Sequence, residues 1–190
     1  MKVKDIQPVL FEDGTLKIID QTLLPGETRW LNLETKEQVW EAISRLQVRG
    51  APAIGVTAAY GLYIGLRGSS ATTYEELKKE FEAVKAYLAS SRPTAVNLFW
   101  ALDRMEACFS KKADLPVSRV LEALLLEAQA IRGEDEDNCR RLGEHGLSLL
   151  KPGMGLLTHC NAGALATARY GTALSPIYLG QEQGLSLIHI

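Results

Sequence analysis

The chain has 190 residues, 46% of them hydrophobic and 23% charged, which is ordinary for a globular protein and enough for one large core or two small ones. A net charge of −2 and a pI near 6.0 give no general attraction to nucleic acid or to an anionic membrane. We therefore expect the chain to bind neither nucleic acid nor a membrane. Any anion must be bound by a local site. Three widely spaced cysteines without a CxxC pair argue against a disulfide framework or structural zinc and favour a reducing, cytoplasmic setting. The N-terminal residues also lack the apolar core of an export signal.

The first elements in chain order are short strands. Within residues 3–34, Asp13 and Gly14 stand between two apolar-rich arms, which is a strong signal for a β-hairpin. The stretch "TRWLNL", residues 28–33, predicts a third strand. A small antiparallel sheet is therefore expected at the start.

Helical spacing begins at Thr35. Thr35 and Gln38 predict a capping box, and Gly50 is expected to close this first helix. The next stretch, "APAIGVTAAYGLYIGL" at residues 51–66, is apolar nearly all round. It predicts a buried helix whose small residues allow close approach by neighbouring helices.

More helices are predicted up to residue 149. Thr73 and Glu76 predict a second capping box. Pro93 and Pro116 are placed as first-turn prolines of two further helices, and a separate charged helix is predicted at about 134–149. Together with the sheet, these helices predict an N-terminal α+β domain over residues 1–150, a small antiparallel sheet plus a helical bundle.

A change of pattern follows "LKPGMG". The apolar run "MGLLTHC", residues 154–160, is typical of a buried parallel strand, and the alanine-rich residues after Gly163 predict a helix. The pattern predicts the first βα unit of an α/β domain at 151–184, and the expected overall class is therefore α/β. Since only about one such unit fits, we expect the domain to be incomplete and the chain to be a fragment.

The last six residues, "LSLIHI" at 185–190, are apolar and out of keeping with the turn before them. They look like the in-frame translation of a transposase adapter used in sequencing libraries. We expect a non-native tail, and the alternative is an ordinary short strand.

Cys160 is a candidate reactive thiol because of its predicted position. It would lie at the carboxyl end of the strand, where open α/β sheets bind ligands, and beside a helix N-terminus that favours a thiolate. Alternation along a strand places His159 on the opposite face, which argues against a dyad of these neighbours. A lone cysteine is commonly a packing residue, so the residues leave both interpretations open.

Two arginines stand at predicted helix starts. Arg49 precedes Gly50 and Pro52, and Arg92 directly precedes Pro93. Free backbone N–H groups and the dipole at a helix N-terminus favour anions, and a guanidinium adds donors suited to phosphate. The two could bind one phosphorylated sugar. The alternative is that each is a surface arginine near a turn. No Walker loop, GxGxxG or HExxH motif is present.

Three long stretches of the chain resemble the methylthioribose-1-phosphate isomerases of methionine salvage. They are "QVRGAPAIGVTAAYG" at 47–61, "SRPTAVNLFWALDRM" at 91–105 and "LLTHCNAGALATARYGTAL" at 156–174. The resemblance extends over residues 1–184 with order and spacing kept, which makes it highly specific.

The resemblance implies an N-terminal α+β domain joined to a Rossmann-like domain, a homodimer of the full-length protein, and an active site in the cleft between the domains. It places substrate binding on Arg49, Gly50, Ala51 and Arg92, and the active-site cysteine on Cys160. The implied reaction converts 5-methylthioribose 1-phosphate into 5-methylthioribulose 1-phosphate without nucleotide, metal or other cofactor.

One part of the family pattern is missing. The family's catalytic aspartate, in a "GADRI" segment, and a later Asn-Lys pair have no counterpart in the chain. We therefore expect the 190-residue chain itself to be inactive.

Three other functions are possible for a chain with these motifs. Ribose-1,5-bisphosphate isomerases share the architecture but should need an extra basic group for the second phosphate. Regulatory subunits of the translation initiation exchange factor are binding modules that do not keep this combination of "RGAPAIG" and "THCNAG". A cysteine-nucleophile hydrolase would need His145 or His159 near Cys160.

Overall fold

The computed structural model describes residues 6–151 and 153–184, and the expected tail at 185–190 lies outside the described residues. The chain opens with a three-stranded antiparallel sheet in the order β1 (Val9–Glu12), β2 (Thr15–Ile19) and β3 (Trp30–Leu33). Asp13 and Gly14 have φ angles of 51° and 76° between the paired residues Glu12 and Thr15. Both angles are positive, as a two-residue type I′ turn requires. The predicted sheet is confirmed.

Six α-helices follow within the described residues: α1 (Lys36–Ser44), α2 (Ala51–Leu66), α3 (Tyr74–Ala89), α4 (Val96–Ser110), α5 (Val117–Leu147) and α6 (Ser175–Glu182). Both predicted capping boxes are present, at the starts of α1 and α3. In the first, the backbone N–H of Gln38 donates to the Thr35 hydroxyl at 3.3 Å, and the Gln38 side chain accepts from the Thr35 N–H at 3.2 Å.

Helix α2 lies at the centre of the core. Twelve of its residues are buried, and it packs against α1, α3, α4 and α5. Glycines allow the close approach: a Cβ built on Gly55 would lie 2.9 Å from the Asn97 carbonyl oxygen of α4. The sheet joins the same core through Phe11, whose ring stacks on Tyr60 with centroids 4.7 Å apart. No helix in the described ranges has the length and hydrophobicity needed to span a membrane.

The helix boundaries differ from the prediction in several places. Helix α1 ends at Ser44 instead of reaching Gly50, and α5 is one helix of 31 residues where two were expected. Helix α4 begins at Val96, so Pro93 lies before the helix and not in its first turn. Gly133 weakens a helix by only about 1 kcal/mol relative to alanine, which packing and ion pairs readily offset. One of these pairs joins Glu134 of α5 to Arg104 of α4.

The strand predicted at 154–160 is not formed, although the mixed α/β class is confirmed. Residues 154–159 have no regular secondary structure, and the Leu157 side chain is 100% exposed. A strand needs a partner for its backbone groups, and the strands in the described part of the chain all belong to the N-terminal sheet. The predicted alanine-rich helix is also shorter than expected, a 3₁₀ turn at Ala164–Ala166 that precedes α6.

Candidate functional site

The start of α2 carries the first group of predicted site residues. Gly50 is the N-cap residue with φ 101° and ψ 134°, a conformation that favours glycine. No side chain caps the helix, so N–H groups of its first turn have no side-chain acceptor. Arg49 and Ala51 flank Gly50 and are both exposed. This helix start is therefore open to an anion.

Arg92 lies in the turn that leads into α4. The Arg92 carbonyl accepts a hydrogen bond from the Ala95 N–H at 3.0 Å, which closes a tight turn through Pro93. Helix α4 begins at Val96 and also has no capping side chain. Because Gly55 of α2 contacts Asn97 of α4, the N-terminal ends of the two helices lie side by side.

The segment that follows Cys160 packs onto the start of α2. A Cβ built on Gly50 would lie 2.4 Å from the Ala166 Cα, so only glycine fits between the two backbones. The Gln21 side chain donates to the Leu165 carbonyl at 2.8 Å and ties the same segment to the loop after β2. All three predicted stretches therefore come to one end of the helical bundle.

Asp135 of α5 holds this segment from the other side. Its carboxylate accepts a hydrogen bond from the Ala168 N–H at 2.6 Å. Burial raises the pKa of Asp135 above its usual 3.8, although the bond from Ala168 opposes the shift. Asp135 was not among the predicted site residues, although its spacing in the sequence indicates that it lies on a buried helix face. Asp135 is four residues from each of Ile131 and Cys139, which are buried on the same face of the helix.

Cys160 is exposed and has a left-handed backbone with φ 77°. It adjoins neither a strand nor an α-helix, so the setting expected to favour its thiolate is not formed. Neither His159 nor His145 hydrogen-bonds to its thiol among the described residues, and both histidines are exposed. The structure gives no support to the cysteine-hydrolase alternative.

The other cysteines differ from Cys160. Cys139 is buried, and this burial, with a further contribution from the charge of Asp135, raises its pKa to about 12. Cys108 is half-buried, and burial raises its pKa as well. Both thiols are therefore poor nucleophiles near neutral pH, which fits a packing role for these two cysteines.

A cleft of about 300 Å³ opens beside the two helix starts. Its apolar residues are Pro52 and Val56 of α2, Trp100 of α4 and Ile131 of α5. Its polar residues are Asn97, Glu134, Asp135 and Asn138. Within the described ranges, no three His, Cys, Asp or Glu side chains are grouped to hold a metal ion.

The arginines at this end of the bundle differ in whether they form ion pairs. The Arg49 and Arg92 guanidinium groups form no hydrogen bond or ion pair with any described residue. Arg104 is different, since it pairs with Glu127 at 2.6 Å and with Glu134 at 2.5 Å. Of these three arginines, Arg49 and Arg92 are thus available to an anion.

Comparisons with known proteins find sugar 1-phosphate isomerases among the relatives. The chain is 64% identical over 183 residues to a methylthioribose-1-phosphate isomerase from Symbiobacterium thermophilum, covering 95% of this chain and 51% of that protein. It is 59% identical to a 5-deoxyribose 1-phosphate isomerase from Petrotoga mobilis, covering 89% and 49%. The crystal structure of 5-methylthioribose 1-phosphate isomerase from Pyrococcus horikoshii superposes with a TM-score of 0.91 at 37% identity, covering 97% and 52%.

The chain spans about half the length of the curated relatives it matches. Residues 47–186 match the profile of the Initiation factor 2 subunit family. This range includes both arginine motifs and the Cys160 segment, which pack together at one end of the fold. The chain therefore belongs to the Initiation factor 2 subunit family.

Proposed function

We propose that the chain is part of a sugar 1-phosphate isomerase that converts 5-methylthioribose 1-phosphate into 5-methylthioribulose 1-phosphate. The observation that carries this proposal is the pair of unpaired arginines, Arg49 and Arg92, at two adjacent helix starts without capping side chains. The names of the relatives support the substrate class.

The phosphate is bound at the start of α2. Backbone N–H groups of its first turn and the helix dipole stabilise the anion beside the exposed residues Arg49 and Ala51. Arg49 and Arg92 supply charged donors, which form shorter and stronger hydrogen bonds to phosphate than neutral donors do. Binding the phosphate fixes the sugar relative to the Cys160 segment.

The reaction rearranges the sugar without an external oxidant. The bond between C1 and the ring oxygen breaks, and the ring oxygen gains a proton. A hydrogen moves from C2 to C1, while the C2 hydroxyl loses its proton and becomes a carbonyl. Cys160 acts in this transfer or stabilises its transition state, and the family's aspartate acts as general acid and base.

The chain by itself is proposed to be inactive, because it has no counterpart of the "GADRI" segment that carries this aspartate in the family. A domain boundary near residue 150, a homodimer, a cytoplasmic location and a role in methionine salvage also stay predictions.

The test uses a hybrid enzyme in which residues 1–184 are continued by the second half of the Symbiobacterium thermophilum relative. The hybrid should form the ketose, and the 190-residue chain should not. Cys160→Ser should abolish turnover, and Arg49→Gln or Arg92→Gln should raise KM strongly. Arg45→Gln is the matched control, since Arg45 is an exposed arginine already paired with Glu41 at 3.1 Å. A hybrid without turnover would contradict the proposal.

A second candidate is a non-enzymatic binding module, which the description of the matched family as an initiation factor subunit favours. In that case Arg49 and Arg92 would contact a partner protein instead of a phosphate. Inorganic phosphate separates the two functions, because it should protect the isomerase site from an arginine-modifying reagent and should have no effect on a protein-binding face.

A further inference from the structure

The cleft beside the helix starts has an apolar side that the phosphate site does not use. Pro52, Val56, Trp100 and Ile131 form this side, and Trp100 is 49% exposed. A half-exposed indole next to three aliphatic residues is a surface that an apolar group can cover with a gain in free energy.

The cleft lies a short distance along α2 from the proposed phosphate site. Val56 is five residues beyond Ala51, which corresponds to about 7.5 Å along the helix axis. The cleft is therefore within reach of carbon 5 of a pentose whose C1 phosphate sits at the start of α2. This step rests on the proposed function, because it takes the phosphate site as given.

The polar side of the cleft restricts the ligand further. Glu134 and Asp135 are acidic, and none of the described residues that line the cleft is a lysine or arginine. Arg104 lies beside the cleft, with its guanidinium 5.6 Å from the centroid of the Trp100 ring, but it is already paired with Glu127 and Glu134. A second phosphate on carbon 5 would thus meet two acidic side chains and a cation whose charge these pairs already compensate.

The amides of the cleft suit neutral polar groups. Asn97 and Asn138 offer both donors and acceptors, and sugar hydroxyls can donate to the carboxylate of Asp135. The lining as a whole therefore fits a neutral, hydroxyl-bearing ligand with an apolar end.

We propose that this cleft binds the carbon-5 end of the sugar and that its apolar side, with Trp100 as the main contact, selects an apolar substituent such as a methylthio group. The substrates in the names of the two relatives differ at this carbon, which carries a methylthio group in one and hydrogen in the other. Trp100 is thus a specificity-determining residue, and ribose 1,5-bisphosphate is excluded by charge.

The test compares kcat/KM of the hybrid enzyme for methylthioribose 1-phosphate and 5-deoxyribose 1-phosphate. Trp100→Ala should lower the value for the methylthio substrate at least about tenfold and change the 5-deoxy substrate much less, because a pocket discriminates a small apolar group by about 10–200-fold. Phe99→Ala is the matched control, an exposed aromatic on α4 that does not line the cleft. It should leave the ratio of the two values unchanged.

A second variant tests the charge argument independently of Trp100. Asn138 is exposed and lines the cleft, so Asn138→Lys should introduce a cation without disturbing the core. It should give measurable binding of ribose 1,5-bisphosphate, seen as competitive inhibition.

The outcomes separate the two proposals. A selective loss with Trp100→Ala, or new inhibition with Asn138→Lys, supports the subsite. Equal effects on both substrates together with no inhibition overturn the subsite and leave the isomerase proposal standing. If the unsubstituted hybrid turns over neither substrate, the isomerase proposal fails and the subsite fails with it. Circular dichroism of each variant shows whether a loss comes from misfolding, in which case the other variant decides.

Discussion

Replacing Gly50 with alanine should destabilise the fold through both backbone strain and a steric clash. The backbone at Gly50 has φ 101°, which residues with a side chain rarely adopt. The added Cβ would also lie 2.4 Å from the Cα and 2.6 Å from the carbonyl oxygen of Ala166. The backbone cannot relieve this contact without moving the segment that follows Cys160.

The magnitude follows from two contributions. Backbone strain of this kind costs about 1–3 kcal/mol, and overpacking costs about 1–3 kcal/mol more. The sum is about 2–6 kcal/mol in the free energy of unfolding. For a chain of this size, each kcal/mol lowers the melting temperature by about 2–4 °C, so Gly50→Ala should melt at least about 4 °C below the unsubstituted protein.

Thermal unfolding followed by circular dichroism measures this directly, and Gly133→Ala provides the control. Gly133 lies within α5, its φ is not positive, and no atom lies within 4 Å of a Cβ built there. The same chemical change should therefore stabilise the protein by about 0.5–1 kcal/mol. If the two variants melted at the same temperature, the close contact between Gly50 and Ala166 would be refuted.

Three further predictions concern other groups. Asp135→Asn keeps an acceptor for the Ala168 N–H but removes a carboxyl whose pKa burial raises above 3.8. The stability that protonation of Asp135 contributes is present at low pH and lost as pH rises through its folded pKa. The variant should therefore gain stability relative to the unsubstituted protein in urea unfolding as the pH rises above about 3.8. A thiol reagent at about pH 8 should modify exposed Cys160 rapidly and buried Cys139 only on unfolding. Thr73→Ala removes half of a capping box and should lower the free energy of unfolding by about 1 kcal/mol.

Each of these outcomes can fail in a recognisable way. A pH-independent difference between Asp135→Asn and the unsubstituted protein would mean that Asp135 is not buried as described. Equal labelling rates of the two cysteines, located by mass spectrometry of the peptides, would contradict their different burial. An unchanged denaturation midpoint for Thr73→Ala would show that the cap is frayed in solution.

The features predicted correctly are those with local causes. The hairpin at Asp13 and Gly14 depends on residues that tolerate positive φ, and the boxes at Thr35 and Thr73 depend on side chains three residues apart. The burial of α2 follows from its apolar composition alone. In each case the interacting groups are neighbours in the chain, so the pattern contains the information.

The features predicted wrongly depend on distant partners. Residues 154–160 have the composition of a buried strand, but no neighbouring strand in the described chain pairs with them. Helix α5 continues through Gly133 because Arg132 before it donates to the Val9 carbonyl of β1 and Glu134 after it pairs with Arg104 of α4. The importance of Asp135 was missed because its partner, the Ala168 N–H, is 33 residues away.

The candidate site divides in the same way. The sequence by itself determined which residues are candidates, because arginine before a glycine or proline at a helix start is a local arrangement that suits an anion. Only the tertiary structure decided that Gly55 brings the starts of α2 and α4 together and that Ala166 closes over Gly50. The same packing leaves a cleft with an apolar and an acidic side. The physical reason is that a helix start is defined by hydrogen bonds a few residues long, whereas a cleft is the space that remains when separate helices pack.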